Sequence, residues 1–478
     1  MTDWDEKLGQ LESVSRSLEP GCDQRKDWIS RSIDYAETFI DGLPDARTYV
    51  RDLGQSSVLD GAIPESPTPI SELLDQLAES VDGPGINPAS GGHLGYIPGG
   101  GLVPSALGDF LADVANRYSG VHFASPGAAR MERQLVRWMA DLAGLPAEAG
   151  GDLTSGGSTA NLSAIVTARD AAGIRPADIP RSTIYMSRQV HHCVDKALRV
   201  AGLEECPLRF VPMDQRHRME AAVLEAMIIA DRENGMQPWL VVASAGTTDS
   251  GAVDPLLQIS SICRKQACWL HVDAAYGGFF LLCEEGREAL PGLQHADSIV
   301  MDPHKGLFLP YGSGAVLVRD EELLARAHRY QADYMQDAQP PEGGYSPADL
   351  SAELSRPFRG LRLWLPLKLF GLEPFRAALS EKLWLARYFH EQVAQLPGFE
   401  VGPYPDLSVV TFRYNPPQGD AEQANRKILQ AVHDDGRIFI SSTRLDGEFT
   451  LRVAILHFRT HRREVDYLLQ ILVSETAG

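Results

Sequence analysis

Apolar and polar positions follow two rhythms along this chain. In its middle part, short unbroken apolar runs occur at 183–187, 239–244, 269–273, 297–301 and 312–318. Runs of this length bounded by turn residues read as buried strands of a parallel sheet. Between and before them the spacing is helical. Leu135, Trp138, Met139 and Leu142 fall on one face of a helix predicted over 131–145, and a second helix is predicted to run from the Ser/Gly turn at 155–159 through Ala168. Strands alternating with helices predict a mostly parallel sheet covered on both faces. Ahead of this region, Trp28, Ile29, Ile33, Ala36 and Ile40 mark an amphipathic helix, Pro64, Pro67 and Pro69 break the chain, and 70–81 is a further candidate helix. From about residue 379 the order changes to helix 383–396, strand 407–414, helix 421–434, strands 437–441 and 449–456, and helix 463–473. The expected fold class is therefore α/β, divided into a helical arm over 1–93, a large domain over 94–375 and a small α+β domain over 376–478.

Composition narrows what such a chain could do. The 478 residues carry a net charge of −20, which disfavours nucleic acid and anionic membranes as partners. No apolar stretch is long enough to span a bilayer, and the acidic start Thr2-Asp3-Trp4-Asp5-Glu6 lacks the apolar segment of a secretory signal. The six cysteines form neither a Cys-x-x-Cys pair nor a zinc spacing, so reduced thiols, no metal and a cytoplasmic location are expected.

The chemistry concentrates in 269–314. One apolar run ends in Asp273 and another is followed by Lys305, and ligands of open α/β sheets sit beyond the carboxyl ends of such strands. A lysine in a desolvated pocket has a lowered pKa and can condense with an aldehyde. A buried carboxylate can hold the proton on a pyridine ring nitrogen. Together they point to pyridoxal 5'-phosphate (PLP). Ala275 shares a strand face with Asp273 and is small enough to pack under the ring. The turn Ser155-Gly156-Gly157-Ser158-Thr159 opens a helix, where free N–H groups and the helix dipole suit a phosphate. An ordinary core ion pair and a plain helix cap are the competing readings of these residues. The tandem His191-His192 has no further ligands at metal spacing.

Two segments, His271-Val272-Asp273-Ala274-Ala275-Tyr276-Gly277-Gly278 and Asp302-Pro303-His304-Lys305, resemble the group II PLP-dependent amino acid decarboxylases, over about 94–460. The resemblance implies the fold type I architecture of PLP-dependent transferases and a homodimer in which the N-terminal arm is swapped. It implies PLP on Lys305, with the phosphate at Gly157 and Ser158, His191 stacked on the ring face opposite Ala275, and Thr248, Asp273 and His304 also around the cofactor. His191 rather than His192 matches the stacking histidine. Tyr96 and Ile97 of the Gly-rich loop and His122 and Phe123 match substrate-pocket segments. Tyr334 matches a mobile-loop tyrosine that returns a proton after CO2 departs, with Tyr345 as the competing candidate. Pro88 stands where aromatic-specific members commonly carry tryptophan. The expected reaction is decarboxylation of an aromatic or apolar L-amino acid. Alternatives are another PLP reaction (aldehyde formation, carbon–carbon cleavage, transamination) or an acidic substrate.

Overall fold

The computed structural model describes residues 3–51, 61–330 and 346–476. The chain forms two compact units, Met1–Ser90 and Gly91–Gly478. Among the described residues, no helix is long and apolar enough to cross a membrane.

The first unit holds helices Asp3–Ser15, Cys22–Gly42 and Ile70–Leu77 and a short antiparallel ladder of β1 (Tyr49–Val50) with β2 (Gly85–Ile86). The apolar stripe read from the sequence lies on Cys22–Gly42, but Trp28, Ile29 and Ile33 stay exposed, and Leu43 is the one buried apolar side chain among the described residues of this unit. An amphipathic helix without a core of its own is held by what it packs against, not by propensity.

The second unit contains a seven-stranded sheet of β3 (Gly150–Thr154), β4 (Ser182–Met186), β5 (Leu208–Phe210), β6 (Gln237–Ser244), β7 (Trp269–Asp273), β8 (Ser298–Met301) and β9 (Gly314–Val318). Their order is β3-β9-β8-β7-β6-β4-β5, and β9 alone runs antiparallel to its neighbours. The two-residue alternation of each strand explains the layers. Leu240 and Val242 pack with Ile165, Val194 and Leu198 on one face. Val241 and Ala243 pack with Leu224, Ile228 and Ile259 on the other. Each such side chain contributes roughly 1.5–3 kcal/mol on full burial, so both faces are anchored and the strand ends are rigid platforms.

A second, antiparallel sheet follows, with β10 (Phe399–Val401), β11 (Val409–Tyr414), β12 (Ser441–Leu445) and β13 (Glu448–Ala454) in the order β10-β11-β13-β12. Helices Glu373–Ala394, Ala421–Asp435 and Arg462–Thr476 close its core around Phe389, Phe412, Leu451 and Leu468. The strand expected at 437–441 is a correction. Ile438, Phe439 and Ile440 are buried as predicted, but Phe439 exchanges backbone hydrogen bonds with Gly92 and Leu94 (2.9 and 2.8 Å) outside the sheet. The ladder begins only at Ser441, because Asp446 and Gly447, both at positive φ, make the tight turn that sets the register of β12 against β13.

Candidate active site

The carboxyl ends of the parallel strands and the start of helix Gly157–Ala171 enclose a cavity of about 260 Å3. Gly157, Ser158, His191, Thr248, Asp273, Ala275, His304 and Lys305, drawn from five separate stretches of sequence, all line it. His192 does not.

One end of the cavity is the glycine turn after β3. The Thr159 hydroxyl donates to the Gly156 carbonyl (2.9 Å) and pairs with Ser155 Oγ (3.0 Å), which closes the turn on itself. The first N–H groups of the helix have no intrahelical partner by geometry, and the exposed Ser158 hydroxyl stands beside them. A side chain at Gly157 would press on Asp302 Oδ2, at 2.8 Å. Glycine there keeps the floor open.

Asp273, at the end of β7, lines the cavity as well. Its Oδ1 accepts from the Ala275 backbone N–H and its Oδ2 from Asn161 Nδ2, both at 3.1 Å. Lys305 stands on a single helical turn, Pro303–Gly306, directly after β8. Its Nζ lies 3.0 Å from Asp302 Oδ2. Burial pulls the Lys305 ammonium down, but Asp302 and Asp273 push it up further, so its pKa ends above the ordinary value of 10.5. The desolvation expected of a pocket lysine is present, but two nearby acids, Asp302 and Asp273, outweigh it. Asp302 Oδ1 is buried without a hydrogen-bond partner among the described residues.

His191 accepts from the Cys193 N–H at Nδ1 (3.2 Å), and burial followed by His192 lowers its pKa, so its ring is neutral and suited to lie against an aromatic face. His304 Nδ1 donates to the Ser313 carbonyl (2.5 Å) and its pKa is likewise lowered by burial. A side chain at Gly99 would collide with the His304 carbonyl, so the glycine-rich loop reaches the lysine turn only through glycine.

These residues fit PLP. A helix start with a free hydroxyl suits its phosphate, a fixed carboxylate suits its ring nitrogen, and a lysine stands between. The pyridoxal-dependent decarboxylase conserved domain matches residues 54–415. The chain belongs to this family. It is 33% identical over 417 residues to an aromatic-L-amino-acid decarboxylase of Bacillus atrophaeus, covering 86% of each chain. It is 33% identical to tyrosine decarboxylase 2 of Arabidopsis thaliana, covering 89% of this chain and 79% of the relative. Its fold is similar to the crystal structure of Oryza sativa TDC with PLP and tryptamine, at a TM-score of 0.90 and 26% identity, covering 96% of this chain and 99% of the other. The protein is thus a PLP-dependent carboxy-lyase of fold type I.

The four substrate-pocket expectations fare differently in this decarboxylase. None of Tyr96, Ile97, His122 and Phe123 lines the cavity with Lys305. Tyr96 sits at φ 51° with its ring 5.8 Å from that of Phe439, and it is 59% exposed. Ile97 is absorbed into the core. His122 lines a separate cavity with Glu132 and Leu350, its N–H donating to Ser346 Oγ. Phe123 is exposed. Spacing from a motif gives sequence distance, while turns at Tyr96 and 121–125 decide direction. Tyr334 and Tyr345 lie outside the described residues.

Asn161 and Asp302 were missed as site residues. Asn161 could have been noticed as a polar residue at helical spacing between Gly157 and Ile165, on a face otherwise of alanine and isoleucine. Asp302 immediately precedes the Pro-His-Lys turn, three residues before the lysine.

Proposed function

We propose that this chain decarboxylates an aromatic L-amino acid to the corresponding amine and acts as a homodimer. The observation that carries the reading is the convergence of Lys305 and Asp273 on one cavity below a helix N-terminus. When bound, PLP supplies a ring able to take up the electron pair left by departing CO2. Lys305 offers the amine that would hold the cofactor, and Asp302 Oδ2, 3.0 Å from its Nζ, holds the ammonium in place. Asp273 would hold a proton on the ring nitrogen of the bound cofactor, and His191 and Ala275, which line the same cavity, would flank its ring. Tyr334 stays in this proposal as donor of the proton to Cα, on its spacing and the family resemblance alone.

The side-chain preference rests on the relatives, which act on aromatic amino acids by name, and on charge. Among the described residues lining the cavity, Lys305 is the only lysine or arginine, so a second substrate carboxylate would meet no counter-ion. Arg117, the cation nearest in sequence, is exposed and not part of the cavity. The homodimer is supported by helix Val103–Ala115, whose Val103, Leu107, Phe110, Leu111 and Val114 form one exposed apolar face. It is also supported by the coreless first unit, which fits the arm proposed over 1–93, with the large and small domains meeting near 375.

The test is product analysis. The holoenzyme is offered each standard amino acid, and CO2, amine, aldehyde and ammonia are measured. Equimolar CO2 and amine from phenylalanine, tyrosine or tryptophan are expected. Aldehyde with ammonia, or turnover confined to glutamate or aspartate, would overturn the assignment. Phe110→Glu should lower the molecular mass in solution if the apolar face joins two copies.

A further inference from the structure

Behind Asp273 runs a row of buried polar groups that the reaction itself does not call upon. Trp269 Nε1 lies 2.9 Å from Ser298 Oγ, Ser298 Oγ 2.9 Å from His271 Nδ1, His271 Nε2 2.7 Å from Asn161 Oδ1, and Asn161 Nδ2 3.1 Å from Asp273 Oδ2. Asn161, His271 and Ser298 have no exposed surface. Asn161 Nδ2 also reaches the Gly157 carbonyl at 2.9 Å, the first residue of the phosphate-turn helix.

The sense of every hydrogen bond in this row is determined by its two ends. At one end an indole N–H can only donate. At the other, the Gly157 carbonyl and the Asp273 carboxylate both accept, so the Asn161 atom facing them is its nitrogen. The Asn161 oxygen must then accept, which places a proton on His271 Nε2. Ser298 accepts from Trp269 and gives its own proton to a bare Nδ1. Burial lowers the His271 pKa to about 4, which agrees with a neutral ring.

We propose that Asn161 and His271 are positioning residues that register the two ends of the cofactor site against each other. Asn161 ties the phosphate turn to the ring carboxylate through one amide nitrogen. His271, held as its Nε2–H tautomer by Ser298 and Trp269, stops that amide from turning over. A flipped Asn161 would set its oxygen against two acceptors. The chain of neutral donors ends on Asp273 Oδ2 and fixes that oxygen's position without placing a cation beside it. The inference rests on PLP as the cofactor but on no particular substrate.

Two measurements test it. The first is 15N NMR of histidine-labelled protein, with and without PLP, using His271→Gln to assign the signal. The result expected near neutral pH is a ring protonated at Nε2 and bare at Nδ1 in both states. A proton on Nδ1, or on both nitrogens, overturns the proposal. The second is PLP titration of apoenzyme. Asn161→Leu and His271→Leu should each weaken cofactor binding by about tenfold or more, the order expected when a charged group loses a buried donor. His271→Gln, whose amide nitrogen can still donate to Asn161, should recover most of the loss. Unchanged affinity in both leucine variants, or a glutamine variant no better than leucine, overturns it. If the leucine variants do not fold, the tautomer of the unsubstituted protein still decides. Failure to decarboxylate aromatic substrates would leave both readouts standing.

Discussion

The cavity has two acidic walls, and they are built differently. Asp273 has both oxygens engaged by fixed donors, a backbone N–H and the Asn161 amide, each at 3.1 Å. Asp302 has one oxygen on a lysine amine at 3.0 Å and the other buried without a partner among the described residues. A carboxylate held at two points keeps one position and one charge while chemistry proceeds beside it. A carboxylate with one oxygen on an amine that must move, and the other buried without a partner, is held by that amine alone. The proposed reaction would use the first as a fixed counter-charge for the ring nitrogen and the second as the partner that positions the lysine amine.

That contrast can be broken at several points. The largest effect belongs to Lys305→Ala, which removes the amine both walls serve: turnover should vanish, along with the absorbance of lysine-bound cofactor. Parent-rate decarboxylation by this variant would refute the site. Next is Asp273→Asn, which keeps shape but loses the fixed charge. Decarboxylation should fall by about 100-fold or more, within the range usual for loss of a protonation-controlling group, and a change of less than threefold would mean that this wall is not electrostatic. Asp302→Asn should have a smaller effect of a different kind. Lys305 is raised above 10.5 by Asp302 and Asp273 against burial. Removing Asp302 lowers it, so the pH dependence of PLP capture by apoenzyme should move to lower pH. The same substitution removes a native-state partner of a raised lysine, a stabilisation present at neutral pH and lost as pH rises through the folded pKa. The variant should therefore melt below the parent near pH 7. A pH profile for cofactor capture that does not move would place the proton elsewhere. The smallest effect is expected for Cys193→Ser. The thiol receives a weak 3.4 Å bond from Asn161, and burial, with Asp273 second, pushes its pKa up to about 12. Activity should stay within about threefold. In the parent, thiol reagents should react first with exposed Cys22, the other five cysteines being buried.

Much of this site was legible before any coordinates. Asp273 and Lys305 sit at the ends of apolar runs, and strand ends are where an open parallel sheet keeps its ligand. The glycine turn, Ala275 and His191 follow from the same logic and from the family motifs. What escaped has a common cause. Asn161 looks like one more polar residue in a helix until the fold brings it against residues 112 and 110 positions away. The direction of the Lys305 shift depends on Asp302, one helical turn away in sequence, and on Asp273, whose distance from the amine no spacing reveals. Tyr96, Ile97, His122 and Phe123 lie at bends and turns, where local backbone conformation, such as the positive φ of Tyr96, and not motif spacing sets a side chain's direction.

Periodicity therefore determined the strands, the layered sheet and the positions at which charge leaves it, because those depend on local alternation and on burial that any folded copy must satisfy. Tertiary packing decided which carboxylate has both oxygens held by donors, and which of the matched residues reach the cavity. Hydrogen-bond partners and the balance of burial against Coulomb attraction are properties of neighbours in space, and for Asn161 those neighbours come from stretches of chain more than a hundred residues away.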